Sequence, residues 1–115
     1  MREGDVALAS LPQADRREKL RPVVILRELP LHSDALVCGI SSQLQPRTNQ
    51  FDQLISPADP DFKSSGLLTT SLIRLGFLSV LPPSRIAGVI GFLSPERHRS
   101  LLETLSDYLI HPFRA

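Results

Sequence analysis

Apolar residues recur along this chain in short runs, set apart by polar and proline-bearing segments, and only near the end does a helical spacing take over. Val6–Ala9 is one run, Val23–Leu26 a second and Ala35–Ile40 a third. Runs of this length, bounded by turn residues and rich in β-branched side chains, read as strands. Strands are expected at about 5–10, 22–28, 34–41, 51–55, 77–81 and 86–92. Leu11 to Lys19 is too polar to bury, carrying Asp15, Arg16, Arg17, Glu18 and Lys19, and reads as a loop. Pro22 lacks an N–H and has a fixed φ, which suits the first residue of a strand or an edge. The residue before it is forced to be extended, so Arg21 is expected at a loop–strand junction. Loops are also expected at Leu44–Gln50 and at Ser56–Ser65, where Pro57, Asp59, Pro60 and Asp61 supply turn chemistry. Thr69–Leu75 reads as a short helical turn, and Pro82–Pro83 separates the last two strands.

The final element is a helix. Ser94 suits its N-cap, Pro95 the first helical position and Glu96 the positive end of the dipole. Leu101, Leu102, Leu105 and Leu109 follow a 3.6-residue period and form one stripe, and Pro112 stops the helix. Many short strands followed by one helix predict a mainly β, α+β fold, a barrel packed by its C-terminal helix.

At 115 residues the chain is expected to form a single domain, 1–115. Its 42% apolar and 22% charged residues exclude disorder as the default. No apolar run approaches the roughly 20 residues of a membrane-spanning helix, and the first residues lack the apolar stretch of a signal peptide. The one cysteine, Cys38, lies inside a strand-like run and excludes an internal disulfide framework. A cytoplasmic protein is expected. Net charge is only +1, but Arg16, Arg17, Lys19 and Arg21 gather four cations within six positions.

Candidate chemistry is narrow. His32, His98 and His111 are far apart, and no Cys/His/Asp set has metal-ligand spacing, so no metal or cofactor is expected. His98, flanked by Arg97 and Arg99, reads as a solvated residue, and His111 as a favourable cation at the helix end. Neither a phosphate-cradling glycine loop nor a Gly-x-Ser-x-Gly turn is present. Asp52, Asp59 and Asp61 read as turn residues. Arg74 interrupts the apolar set Leu72, Ile73, Leu75, Phe77 and Leu78, so its charge must reach water or a partner.

Several short motifs, taken in order, resemble the MazF/PemK family of toxin ribonucleases. They are Gly4-Asp5-Val6, then a charged loop, then Arg21-Pro22 entering an apolar strand, Cys38-Gly39-Ile40-Ser41-Ser42-Gln43-Leu44, Gly66-Leu67-Leu68, and Ser71-Leu72-Ile73-Arg74. The resemblance spans nearly the whole chain. It implies an SH3-like barrel with a C-terminal helix, and a toxin of a type II toxin–antitoxin system that cleaves single-stranded RNA without metal through attack of the 2′-hydroxyl. It also implies a homodimer and an acidic antitoxin partner.

Carried over by position, Arg21 would stabilise charge on the phosphoryl oxygens, Ser41 would hold the scissile phosphate, and Arg74 would be a third catalytic group. Arg16, Arg17 and Lys19 would bind the RNA backbone, and Gln43, Gln45, Arg47 and Asn49 would read bases. Gly76 stands where some relatives carry an acid two residues after the arginine, and Ser79-Val80 replaces an arginine–threonine pair. Asp15 or Glu18 could supply a carboxylate. Two alternatives share the architecture: a CcdB-like gyrase poison, whose activity needs a tryptophan that this chain lacks, and a non-catalytic module that binds an acidic antitoxin.

Overall fold

The computed structural model describes residues 1–12, 18–48 and 50–111. Six antiparallel strands, β1 (Asp5–Pro12), β2 (Glu18–Glu28), β3 (Ala35–Ser41), β4 (Gln53–Ile55), β5 (Ser71–Leu81) and β6 (Ile86–Phe92), form one sheet in the order β4-β5-β3-β2-β1-β6. Two helices complete it, α1 (Phe62–Ser65) and α2 (Pro95–Ile110). The expected α+β class and terminal helix are present, but the barrel is not closed, since no ladder joins β4 to β6 among the described residues. Instead α1 spans the gap. Ser64 Oγ donates to the Phe92 carbonyl at 3.0 Å. Gly66, at φ +75°, and Gly91 lie where a Cβ would run into the backbone of Ile90 and of Ser64 and Ser65 respectively.

Several boundaries differ from those expected, each for a local reason. The β1–β2 ladder continues to Pro12↔Glu18, so Leu11 and Lys19 belong to strands rather than to a loop, and Leu11 is buried. Pro22 therefore sits inside β2, opposite Leu8, not at its start. The ladder from β2 to β3 begins one residue later, at Val23↔Gly39. The proline marks where β2 parts from β3. The Ser56–Ser65 loop contains α1, and the predicted helical turn at Thr69–Leu75 is largely the first half of β5.

Strand β5 carries a large bulge. Arg74 pairs with Gly39 while Leu78 pairs with the adjacent Cys38, so Leu75, Gly76 and Phe77 are extra on the β5 side. Three extra residues invert the alternation of faces along the strand. Ile73 and Leu75 thus join the cluster under α2, whereas Leu81 joins the cluster on the opposite face.

The first cluster contains Val6, Val24, Leu26, Cys38, Ile40, Ile55, Ile73, Leu75 and Leu93, covered by Leu101 and Leu105 of α2. Each fully buried leucine of this kind contributes about 1.5–3 kcal/mol. Ser94 accepts from the Arg97 N–H at 3.1 Å, with Pro95 next in line, as the cap pattern predicts. The stripe stops early, because Leu109 is 70% exposed. Pro112 lies outside the described residues. His98 is not a solvated residue: it is half-buried against Gly4, and its Nε2 lies 2.8 Å from the Leu26 carbonyl. A carbonyl only accepts, so that nitrogen carries the proton.

Arg97 ties the helix to the rest of the molecule. Its Nε donates to Asp61 Oδ2 at 2.9 Å, and its Nη1 to Gln53 Oε1 at 3.2 Å and the Leu54 carbonyl at 3.3 Å. Nη2 lies 3.4 Å from Asp59. Asp61 also accepts from the Ser94 N–H at 3.1 Å, and it is only 5% exposed, which is more than a turn residue requires. Burial pushes its carboxyl pKa up. The hydrogen bonds from Arg97 and Ser94 and the guanidinium charge outweigh burial and hold it below its ordinary value of 3.8.

Removing Asp61 leaves the largely buried Arg97 charge with only the longer 3.4 Å contact to Asp59, so Asp61→Ala is expected to lower the unfolding free energy by about 3 kcal/mol, the low end for a broken buried pair, read as a lower urea midpoint at unchanged slope. A carboxyl whose folded pKa is depressed stabilises fully above its unfolded value. The wild-type advantage over Asp61→Ala should therefore be constant above about pH 5 and shrink as the pH falls below 3.8 through the lower folded value.

Candidate functional site

The sheet register brings three of the expected residues onto one face. Arg21 pairs with Ala9, whose side chain is buried in the cluster opposite α2. Ser41 lies two residues beyond Gly39 on β3, and Gly39 pairs with Val23 of that same cluster. Arg74 pairs with Gly39 directly. Arg21, Ser41 and Arg74 thus project from adjacent strands, β2, β3 and β5, on the side away from α2. Continuing the Val23↔Gly39 register by two residues sets Arg21 across from Ser41. Arg21 is exposed, and lies within β2 rather than at a loop junction.

Each group has usable chemistry. Ser41 is half-buried at the end of β3, and its Oγ accepts from the Gln43 N–H at 3.0 Å, a turn contact. That contact leaves the hydroxyl hydrogen to donate elsewhere. Arg74 is half-buried. Its Nη2 donates to the Pro46 carbonyl at 3.0 Å, and its buried Nε meets no hydrogen-bond partner among the described residues. Two guanidinium groups and a hydroxyl on one face can hold a tetrahedral anion through charge-assisted bonds.

A cleft of about 330 Å³ opens beside Arg74, lined by Pro46, Arg47, Thr48, Phe51, Asp52, Gly76 and Phe77. It is the concavity where several elements converge. A larger hollow of about 730 Å³ is bounded by α2 residues alone and contains none of the expected site residues. Gln43, Gln45 and Arg47 are exposed on the β3–β4 loop, and of these Arg47 reaches the cleft. Lys19 is exposed on β2. Arg16, Arg17, Asn49 and Asp15 lie outside the described residues. Among those described, no three His, Cys, Asp or Glu side chains gather as a metal would require, and no helix is long and apolar enough to cross a membrane.

The family model described as PemK-like, MazF-like toxin of type II toxin-antitoxin system matches residues 2–109. The chain belongs to that family. Its fold is similar to the Mycobacterium tuberculosis toxin MazF-mt6, with a TM-score of 0.68 at 21% identity, covering 95% of this chain and 99% of the other. It is equally similar, at TM-score 0.68 and 16% identity, to an endoribonuclease solved in complex with its cognate antitoxin from Mycobacterial species, covering 97% of each chain. A further endoribonuclease from Mycobacterial species superposes with a TM-score of 0.65 at 17% identity, over 97% of this chain and 93% of that one. No curated protein matches in sequence.

Within this PemK/MazF-like toxin the residue that sequence reasoning missed is Asp52. It reads as a turn residue, and it does accept from the Thr48 N–H at 3.0 Å. The fold also sets it in the cleft that Arg74 and Gly76 line. Phe51, beside it, stacks on Tyr108 of α2 with ring centroids 5.0 Å apart. No sequence spacing joins position 52 to position 74; the β4–β5 ladder does, since its Gln53↔Ile73 register continued by one residue sets Asp52 across from Arg74.

Cys38 sits beneath the site in the core. Burial, the largest cause, pushes its thiol pKa up to about 12, with Asp52 adding a like-charge push and a hydrogen bond from the Val24 backbone opposing both. The native toxin should therefore resist a thiol-specific reagent at pH 8 and react stoichiometrically only in denaturant, as followed by absorbance of the released dye.

Proposed function

We propose that this toxin is a metal-independent endoribonuclease that cuts single-stranded RNA by attack of the 2′-hydroxyl on the adjacent phosphorus, expelling the 5′-oxygen. The observation that carries this reading is the alignment of Arg21, Ser41 and Arg74 on one face of three neighbouring strands. Negative charge builds on the phosphoryl oxygens as the 2′-oxygen attacks. Two guanidiniums and a hydroxyl supply preorganised donors for that charge. Arg21 stabilises the transition state, Ser41 holds the scissile phosphate and Arg74 assists from β5. Arg16, Arg17 and Lys19 steer the backbone, and Gln43, Gln45, Arg47 and Asn49 contact unpaired bases. The similarity to endoribonucleases supports the same reading.

The acting species is proposed to be a cytoplasmic homodimer. Leu78 and Val80 pair with Cys38 and Leu36, so they face the α2 side, yet they are 42% and 52% exposed; Leu109 and Ile110 are uncovered too. A second copy would bury such surface. An acidic antitoxin segment would compete with RNA for the same guanidiniums, so inhibition needs no conformational relay.

The deciding experiment incubates purified toxin with mixed RNA in EDTA and maps the cut ends. Discrete cuts are expected, and Arg21→Ala should slow them by about 10²–10³. Arg21→Lys should also fail substantially, because a point charge does not reproduce a planar fork. Intact RNA together with inhibited gyrase would select the poison instead, and tight binding of an acidic peptide with neither activity would select the binding module.

Sedimentation at micromolar concentration should give about twice the 12.7 kDa of one chain. A purely monomeric species would remove the dimer.

A further inference from the structure

We infer that Asp52 is the proton acceptor of the cleavage step, taking the hydrogen of the attacking 2′-hydroxyl, a role that rests on the ribonuclease reading. Attack by a hydroxyl needs a base as well as donors for the phosphoryl charge. Arg21, Ser41 and Arg74 meet only the second need, because a guanidinium stays charged and accepts no proton. The base must be another residue.

The sheet register supplies one. The Gln53↔Ile73 pair, continued by one residue, sets Asp52 across from Arg74. Phe51 and Gln53, on either side of it, both turn to α2, the first against Tyr108 and the second against Arg97 and Ser100. Asp52 therefore points the other way, to the side of the two arginines and Ser41. There it lines the cleft beside Arg74 and Gly76, and about 330 Å³ leaves room for one ribose.

The half-buried carboxylate is held in place by a closed turn. Its Oδ2 accepts from the Thr48 N–H at 3.0 Å, while the Thr48 carbonyl accepts from the Asp52 N–H at 2.8 Å and the Phe51 N–H at 2.9 Å. One oxygen is thereby committed to the loop, and Oδ1 is left to accept. Rival acceptors are engaged elsewhere: Asp59 and Asp61 with Arg97, Glu3 with Arg27 and Glu103 with Arg99. His98 is held on the Leu26 carbonyl, and His32 lies before the start of β3, whereas Ser41 ends it.

In the step, the phosphate rests on the arginines and Ser41, and the ribose on its 5′ side enters the cleft. As O2′ bonds to phosphorus, its proton passes to Asp52 Oδ1. The P–O5′ bond breaks with its electron pair on O5′, which takes a proton from water. Asp52 then returns its proton to the hydroxide so formed, leaving a 2′,3′-cyclic phosphate and a 5′-hydroxyl end.

Asp52→Asn is the sharpest test, because asparagine keeps an oxygen for the Thr48 N–H and loses the basic one. Single-turnover cutting of a short RNA should slow by about 10²–10⁴. Fluorescence polarisation should show a 2′-O-methyl copy of that RNA, which has no proton to give, bound equally by both proteins. The pH profile separates a base from a structural part. The wild-type rate should rise from acid pH and level off once the carboxylate is ionised. Asp52→Asn, left with hydroxide as its base, should instead climb about tenfold per pH unit throughout.

Cutting by Asp52→Asn at the wild-type rate overturns the acceptor and leaves the ribonuclease standing. A slower rate matched by an equal loss of 2′-O-methyl RNA binding also overturns it, making Asp52 a binding residue. A folded wild type that leaves RNA intact overturns both readings. If Asp52→Asn melts early, Asp52→Ala replaces it, assayed below its melting temperature with added formate. Cutting restored in proportion to formate supports the acceptor, and no restoration overturns it.

Discussion

The contact between Arg97 and Asp61 fixes how the helix, the loop before α1 and the short strand β4 sit together. One guanidinium reaches two aspartates, a glutamine and a backbone carbonyl, and Asp61 in turn holds the first N–H of the helix cap at Ser94. An ion pair this buried is a poor source of net stability, since apolar residues of the same shape would often do as well. Its value lies in geometry. A planar fork satisfied on three sides admits one position of α2 over the sheet, and Leu101 and Leu105 then fall into the core. Ser100, bonded to Gln53 at 3.0 Å, and His98, bonded to the Leu26 carbonyl, repeat the same register further along the helix.

What the sequence revealed of the fold follows from what each signal measures. Strands β1, β2, β3 and β6 were legible because their apolar runs are continuous, and α2 because cap, proline and leucine period agree. β5 was not. Its alternation reverses at Leu75–Phe77, so a strand of eleven residues reads as two segments of opposite phase, one of them resembling a helical turn. His98 was misjudged for a related reason. Neighbouring charges in the first turns of a helix look solvated unless one knows that β4 and Leu26 lie against them.

The candidate site divides in the same way. Arg21, Ser41 and Arg74 were legible through short motifs, since a family resemblance transfers positions. Their common face was not, because it depends on where β2 leaves β3 at Pro22 and on the inverted half of β5. Asp52 was hidden further, as an aspartate four residues after Thr48 has a sufficient local explanation in its turn.

The β3–β4 loop is anchored at both ends by structure that does not depend on its own sequence. Ser41 ends a strand locked between β2 and β5, and Gln53 begins one gripped by Arg97 and Ser100. The exposed positions Gln43, Gln45 and Arg47 can thus be exchanged without disturbing the core, against which Phe51 stays packed. A scaffold built this way lets natural variation alter what is recognised while the groups proposed to act on the substrate stay fixed, so sister toxins can diverge in target without reinventing their chemistry.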